Sequence, residues 1–312
     1  MQLVLFGATG NVGRRIAAIA RITACLTLSF AITSPAVAAA QPSSAQAADC
    51  DRQCLTQLMN GFLSAMVEGK FGAVRLSPDA EIRQNTRVVP LAQTAWKNVK
   101  TIKSTMIFAD PITGNVVART GVELKNARPA YLSTRLRVLP GGTITDVELS
   151  ADTSSRVVAS YIYALDSRYT EVLPPEQRMS RDSLEALGRR YFIGLTDHHP
   201  VAEDYDDRCD RFHSGQRVTN AASNSVEGGP PRTCFGSNNG DRPWGPAIEQ
   251  RFPIVDPERG IVLGLTLLLY PKSPNLQRMY VSEIFKVVNH KVVQIDNIGL
   301  MMQGVPTNGF VH

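Results

Sequence analysis

An internal repeat constrains the fold of this 312-residue chain more than any other feature of its sequence. The segment FADPITGNVV (108–117) matches IVDPERGIVL (254–263), and both carry Asp-Pro-x-x-Gly, which is typical of a tight turn between two strands. RLRVLPGGTITDVEL (135–149) likewise matches IFKVVNHKVVQIDNI (284–298), two strands around a short hairpin turn. The sequence therefore predicts two copies of one structural unit.

Each copy begins with an amphipathic helix. The first helix carries an apolar stripe with the i, i+3, i+4, i+7 spacing of a helix that lies on a sheet, formed by Leu55, Leu58, Met59, Phe62, Leu63, Met66 and Val67. Ser180 is the predicted N-cap of the second helix, which buries Leu184, Leu187, Tyr191, Phe192 and Leu195. Two short strands, a short helix and four longer strands joined by hairpins follow each helix. This order predicts an α+β fold in which a helix packs on one face of a curved antiparallel sheet.

The order of elements resembles the cone-shaped nuclear transport factor 2-like superfamily, which includes the SnoaL-like, polyketide-cyclase-like enzymes. From residue 49 onward the chain also resembles an uncharacterised family of secreted bacterial and fungal proteins. The residues that carry this second resemblance are Cys50–Leu55, Ser180–Leu184, Arg251–Asp256 with Arg259 and Gly260, Glu283–Val287, and Gly304–Phe310. His213 and Phe310 depart from the pattern, which has an acid and a tryptophan there. The resemblance implies tandem cones and brings no established activity.

The repeat divides the chain into a first cone unit over residues 50–152, a linker over 153–179 and a second cone unit over 180–312. Two cones in one chain can bury the sheet faces that separate cones would use to dimerise. We therefore expect a pseudo-dimeric monomer.

The first forty residues support two competing interpretations. Arg14, Arg15 and Arg21 precede an apolar run of about ten residues and an Ala36-Val37-Ala38 site, which is the pattern of a secretory signal peptide. The stretch GATGNVG (7–13) instead resembles the nucleotide-binding opening of a short-chain dehydrogenase, but the second strand of a Rossmann unit does not follow it. We favour a signal peptide or a spurious extension over residues 1–40, a linker over 41–49, and a periplasmic or secreted protein.

Cysteine usage agrees with export. Setting Cys25 aside leaves four cysteines, an even number that suggests disulfides and allows three connectivities. We prefer a long Cys209–Cys234 pair, which leaves Cys50 and Cys54 four residues apart at a helix start. No Cys-x-x-Cys pair supports a zinc site.

Charge argues against nucleic acid as a partner. The chain has 33 basic and 28 acidic residues, and no basic run of five or more occurs. We expect a small-molecule ligand, no stable membrane insertion and no cofactor.

Inward-facing polar residues are the candidates for chemistry in such a cone. Arg211 and His213 share one face of a predicted strand. If that face lines the cone, His213 is the candidate proton carrier, and Arg211, the other candidate catalytic residue, or Arg217 would anchor an anion. Other candidates for substrate binding are Arg217, Arg83 of the first unit beside Glu81, and the paired tryptophans Trp96 and Trp244. The opposing interpretation places the strand residues on a solvated face and Trp96 in the core.

Other polar clusters favour structural roles. The segment DHHPVAEDYDDRCD (197–210) has irregular spacing for a metal site. Asp110 and Asp256 precede prolines at turns, where a carboxylate caps backbone N–H groups. His290 in a hairpin turn and His312 at the end of the sequence are expected at the surface.

Three functions remain open. The first is an exported module that binds a small, largely apolar molecule in a cone-shaped pocket. The second is a cofactor-free acid–base lyase, isomerase or cyclase that uses the same pocket with His213 as its proton carrier. The third is an NAD(P)-dependent oxidoreductase, which rests on GATGNVG alone.

Overall fold

The computed structural model describes residues 50–221, 232–238, 244–270 and 277–304. The expected signal peptide, the GATGNVG stretch, the linker over 41–49, Phe310 and His312 lie outside the described residues.

Two six-stranded sheets form the body of the protein. The strands of the first sheet are β1 (Leu76–Gln84), β2 (Arg87–Val88), β3 (Val99–Asp110), β4 (Asn115–Leu124), β5 (Pro129–Leu139) and β6 (Thr143–Asp152). Those of the second are β7 (Tyr205–His213), β8 (Gln216–Arg217), β9 (Ala247–Asp256), β10 (Ile261–Leu269), β11 (Arg278–Val288) and β12 (Lys291–Met302). The spatial orders, β2-β1-β6-β5-β4-β3 and β8-β7-β12-β11-β10-β9, are the same, which confirms the predicted repeat.

The helices are α1 (Arg52–Val67), α2 (Ala159–Ile162) in the linker, α3 (Arg181–Asp197) and α4 (Cys234–Asn238). Helix α1 packs on the first sheet through a buried face of Leu55, Met59, Phe62, Leu63 and Met66. Helix α3 packs on the second sheet in the same way, and the Ser180 hydroxyl accepts a hydrogen bond from the Ser183 N–H, as predicted for an N-cap. The α+β class and the tandem of helix-covered sheets are thus confirmed.

The first strand of each sheet departs from the predicted antiparallel pairing. The four longer strands of each sheet are antiparallel and joined by hairpins, but β1 runs parallel to β6 and β7 runs parallel to β12. Each sheet is therefore mixed. No hairpin connects the first strand to the last, so short turns do not force these neighbours to be antiparallel.

The sheets pack against each other through the faces that point away from their helices. Apolar side chains from both sheets meet there, among them Phe108, Val117, Ile254, Leu263 and Ile284. The linker adds the buried side chains of Ile162, Tyr169 and Leu173.

Reciprocal ion pairs tie the start of each helix to the Asp-Pro turn of the other unit. Arg52 at the start of α1 lies 2.7 Å from Asp256, and Arg181 at the start of α3 contacts both oxygens of Asp110 at 3.1 and 2.6 Å. Both aspartates also cap their own turns as predicted, because Asp110 accepts from the Ile112 N–H and Asp256 from the Glu258 N–H. Both repeated motifs therefore also stabilise the contact between the units.

Both predicted disulfides are present. Cys50 pairs with Cys54, and Cys209 pairs with Cys234 across 25 residues. The second disulfide attaches α4 to strand β7.

Candidate functional site

The space between sheet and helix differs sharply between the two units. In the first unit it is filled by apolar side chains of α1, the sheet and Trp96, which is 1% exposed. The hydroxyls of Thr120 and Thr134 are buried there too, but no described charged side chain is. In the second unit, buried polar side chains interrupt the apolar lining. The interior of the second unit, which we define as the side of the second sheet facing α3, is therefore the candidate functional site.

A row of three polar residues crosses this interior. Glu283 on β11 pairs with Asn297 on β12, and Asn297 pairs with His213 on β7. Side chains alternate between the faces of a strand, and Glu283 lies between Val281 and Phe285, which pack with α3. All three polar residues are at least 96% buried. Since adjacent strands lie about 4.8 Å apart, the row spans about 10 Å between its end residues.

Arg211 joins the row at Glu283. Its Nε lies 3.3 Å from Glu283 Oε1, which also accepts a hydrogen bond of 2.9 Å from the Tyr191 hydroxyl of α3. A second nitrogen of Arg211 donates to the Ser237 hydroxyl of α4 at 3.2 Å. Burial raises the pKa of Tyr191, so this hydroxyl stays protonated and donates to the carboxylate.

Helix α4 supplies more of the polar lining. The Asn238 side-chain amide donates to the Tyr205 hydroxyl at 2.6 Å and to the Tyr191 carbonyl at 3.2 Å. The Cys209–Cys234 disulfide joins this short helix to the sheet, and Ser237 and Asn238 lie in the same helix as Cys234. The disulfide thus positions polar groups at the site.

Two buried oxygen atoms of the row accept no hydrogen bond from any described residue. They are Glu283 Oε2 and Asn297 Oδ1. Leaving a buried polar group unsatisfied costs about 1–3 kcal/mol, so a ligand that donates a hydrogen bond here would recover part of that cost. The row therefore has the hydrogen-bonding capacity of a binding site.

The structure brings together only some of the predicted site residues. Arg211 and His213 are buried on the same side of β7, at 6% and 4% exposure, and do not lie on a solvated face. Arg217 is exposed and pairs with Asp210. Its strand partner is Phe212, which points away from the interior to stack on Tyr161 of the linker, so Arg217 does not join the row.

Arg83, the other arginine predicted to bind substrate, lies on the face of the first sheet that points away from α1. Ile82 packs into the first core, whereas Arg83 pairs with Glu148 on the sheet's other face. Arg83 forms an ion pair with Glu81 there. The first strand is shifted by one residue relative to its counterpart, and such a shift exchanges the two faces.

The two tryptophans occupy different environments. Trp96 lies in the first core. Trp244 is half-buried, packs against the second core and contacts Tyr270 with ring centroids 5.8 Å apart.

The remaining histidines and acids are placed as follows. His290 is exposed in its hairpin, as expected. In the 197–210 segment, Asp204 pairs with Arg190 and Asp206 caps a turn. Among the described residues, no group of three His, Cys, Asp or Glu side chains is arranged to hold a metal ion.

Sequence reasoning missed Glu283, Asn297 and Tyr191. The available signal was the single acid in the apolar strand RMYVSEIFKVV (278–288), placed in step with inward-facing Val281 and Phe285. A charged residue on a buried face needs partners, and that requirement marks it as a candidate for a site.

Two further buried carboxylates lie between the sheets. Glu148 of the first sheet forms ion pairs with Arg251 of the second sheet and Arg135 of its own sheet. It also accepts a hydrogen bond from the Tyr280 hydroxyl of the second sheet. Asp296 of the second sheet accepts hydrogen bonds from the hydroxyls of Tyr131 and Tyr161, and Arg119 lies 3.8 Å away. Each sheet thus contributes a tyrosine hydroxyl that donates a hydrogen bond to a buried carboxylate of the other sheet.

We expect Glu148 to make stability depend on pH in acid. Burial opposes its ionisation, but Arg251 and Arg135 outweigh burial and lower its pKa to about 2. Its stabilising effect is complete above the unfolded pKa of about 4.3 and is lost as pH falls towards 2, a change of about 3 kcal/mol. Burial raises the pKa of Asp296, whose effect has the opposite sign.

Urea unfolding of the wild type and of Glu148→Gln from pH 7 to pH 2 isolates this contribution. The difference in free energy of unfolding between the two proteins should shrink as pH falls from about 4.3 towards 2. A difference that stays constant over that interval would contradict the assignment.

No helix in the described part of the chain is long and apolar enough to span a membrane.

Comparison with known proteins gives one family match. The model of a domain of unknown function, DUF8021, matches residues 177–299 and so covers the second unit. No curated protein matches the sequence.

Several solved structures are similar to about a third of the chain. An NTF2-like protein of unknown function from Cytophaga hutchinsonii is 16% identical over 31% of this chain and 89% of its own, with a TM-score of 0.26. A steroid delta-isomerase from Pseudomonas aeruginosa is 17% identical over 33% and 80%, with a TM-score of 0.25. PrhC from Penicillium brasilianum is 14% identical over 32% and 82%, with a TM-score of 0.26.

Proposed function

We propose that the second unit binds a small, largely apolar molecule that carries at least one hydroxyl group. One observation carries this proposal: the second interior holds the buried row of Glu283, Asn297 and His213, whereas the described residues of the first interior include no buried charged or imidazole side chain. Buried polar residues cost stability unless they are satisfied, so a row of them in one unit favours a functional role.

The charges of the row favour a ligand without a net charge. Arg211 and Glu283 already neutralise each other at 3.3 Å. Two acceptor oxygens, Glu283 Oε2 and Asn297 Oδ1, are available for a donor. The aromatic side chains of Phe192 and Phe285, whose ring centroids lie 6.0 Å apart, form an apolar surface for the remainder of the ligand.

A titration with matched aromatic probes tests the proposal. We expect 1-naphthol to bind the purified protein at one site per chain, and 1-methoxynaphthalene, which lacks the donor, to bind at least tenfold more weakly. Asn297→Leu should remove this preference. Asn60→Leu, on the exposed side of α1, is the matched control and should keep it. Equal affinities for the two probes, or a preference that survives in Asn297→Leu, would contradict the proposal, and so would no binding of either probe.

A second candidate is acid–base catalysis in the same place. The burial of the His213 imidazole beside Asn297 favours it, since an imidazole ring has nitrogen atoms that can donate and accept a proton. Deuterium exchange at the α-carbons of 2-tetralone in D2O, followed by NMR, separates the two candidates. A catalyst accelerates exchange and loses this in His213→Gln with naphthol binding intact, whereas a pure binding module shows no acceleration.

We also propose that the protein is exported. Its two disulfides are typical of an oxidising compartment. The measurement is the intact mass of the protein isolated from its own host, which should correspond to a start near residue 39 or 41.

We propose further that the protein is a pseudo-dimeric monomer. The sheets bury their outer faces against each other, and the reciprocal Arg52–Asp256 and Arg181–Asp110 pairs support this arrangement. Sedimentation equilibrium should give the mass of one chain, and twice that mass would exclude the proposal.

A further inference from the structure

A cleft of about 510 Å³ lies between the two units, outside the interior of either. The first unit contributes Thr113, Asn115 and Arg137 to its walls, and the second unit contributes Arg189 of α3 with Gln250 and Phe252 of β9. A volume of this size is typical of small-molecule sites. We infer that this cleft is a second binding site, and that it takes a small aromatic carboxylate.

Arg137 supplies the charge that such a ligand needs. It is half-buried, and its guanidinium makes no hydrogen bond or ion pair with any described residue. The other arginines at the cleft are paired: Arg189 with Glu185, and both Arg135 and Arg251 with Glu148. Asp146 also pairs with Arg135, so Arg137 is the one guanidinium at the cleft without a carboxylate partner among the described residues.

The second unit has a cation, Lys286, at the position that matches Arg137, and its contacts show which partners a buried cation takes there. Arg137 lies two residues after Arg135, and Lys286 lies two residues after Ile284, which occupies the place of Arg135 in the second sheet. The Lys286 ammonium is buried and donates to the carbonyl oxygens of Glu171 and Arg259 at 3.0 and 2.7 Å.

The linker therefore covers Lys286. It approaches Lys286 through Glu171 and is fixed there by the Leu173 N–H, which donates to the Glu258 carbonyl at 2.9 Å. No described segment gives Arg137 an equivalent oxygen. The repeat places two cations in equivalent positions, and the chain supplies acceptor oxygens to one of them. A ligand would supply them to the other.

The surroundings of Arg137 select a carboxylate with an aromatic body. A guanidinium binds a planar carboxylate through two parallel hydrogen bonds. Asp146 lies opposite Arg137 on the neighbouring strand, so a dianion such as a phosphate monoester would meet greater repulsion. Arg189 lies over the Phe252 ring at 5.1 Å, and together they form a surface for an aromatic ring.

Calorimetric titration with benzoate, benzamide and phenyl phosphate tests this site. We expect benzoate to bind once per chain, and both benzamide and phenyl phosphate to bind at least tenfold more weakly. Arg137→Met should lower benzoate affinity at least tenfold, and Arg137→Lys should lower it less, because lysine keeps the charge and loses the two-pronged geometry. Neither substitution breaks an ion pair with a described residue, so the fold should tolerate both.

Two control variants establish whether benzoate binds in this cleft or elsewhere on the protein. Arg75→Met removes an exposed guanidinium outside the cleft and should leave benzoate affinity unchanged. Asn297→Leu alters the second interior and should also leave it unchanged, which separates this inference from the proposed function. Absence of benzoate binding at millimolar concentration, benzoate affinity that survives Arg137→Met, or tighter binding of phenyl phosphate would each overturn the inference.

Discussion

Glu148→Gln is expected to lower the free energy of unfolding by about 3–5 kcal/mol at neutral pH, the cost of removing one partner from a buried ion pair. Glu148 is 2% exposed and is the shared partner of Arg135 and Arg251 from opposite sheets. A neutral amide would leave both guanidinium groups buried with less compensating charge. Urea unfolding followed by the fluorescence of buried Trp96 measures the loss.

Two companion variants make this test specific. Glu123→Gln removes a carboxylate that pairs with Lys100 and Lys103 in a more exposed setting, so its effect should be much smaller. In a triple variant, Glu148→Leu with Arg135→Met and Arg251→Met removes all three charges together. We expect this variant to be more stable than Glu148→Gln, since uncompensated charge is the main cost. Equal losses for Glu148→Gln and Glu123→Gln would refute the argument.

Removing the long disulfide should have the next largest effect. In the chain-entropy account, a bond across 25 residues contributes about 3.5 kcal/mol, whereas one across 4 residues contributes about 2 kcal/mol. The double substitution Cys209→Ala and Cys234→Ala should therefore destabilise the protein more than Cys50→Ala with Cys54→Ala. Urea midpoints in the absence of reductant provide the comparison, and the reverse order would disprove it.

The two disulfide variants should also differ in naphthol binding. Cys234 opens the short helix α4, which holds Ser237 against Arg211 and Asn238 against Tyr205. Loss of the long disulfide should therefore also weaken naphthol binding. Loss of the Cys50–Cys54 disulfide, at the start of α1 in the other unit, should leave naphthol binding unchanged.

Local patterns predicted the elements that depend on near neighbours. The stripe from Leu55 to Met66, the Ser180 cap and the turns at Gly141 and His290 each have a signature within a few residues, and the structure contains all of them. The repeat then gave the tandem architecture, because similar segments fold alike.

Features that depend on distant parts of the chain were beyond sequence reasoning. The parallel pairing of β1 with β6 joins residues as distant in sequence as Leu76 and Ile144. The Arg52–Asp256 pair joins residues 204 positions apart, and it exists only because the sheets associate. At the site, the alternation of side chains along a strand predicted that Arg211 and His213 share a face. The role of Glu283 depends on its hydrogen bond from the Tyr191 hydroxyl of α3, a contact between residues distant in sequence.

The two interiors can change independently of each other, because they belong to different segments of one chain. In a homodimer of identical cones, one gene encodes both interiors, so each substitution occurs twice and stability and ligand binding must be satisfied by the same residues. Here the two cones are encoded separately. The first can be optimised as a scaffold of close-packed apolar side chains, while the second retains polar groups that lower its own stability. Mutations in the first interior should therefore reduce the amount of folded protein, and those in the second should alter which molecules it binds.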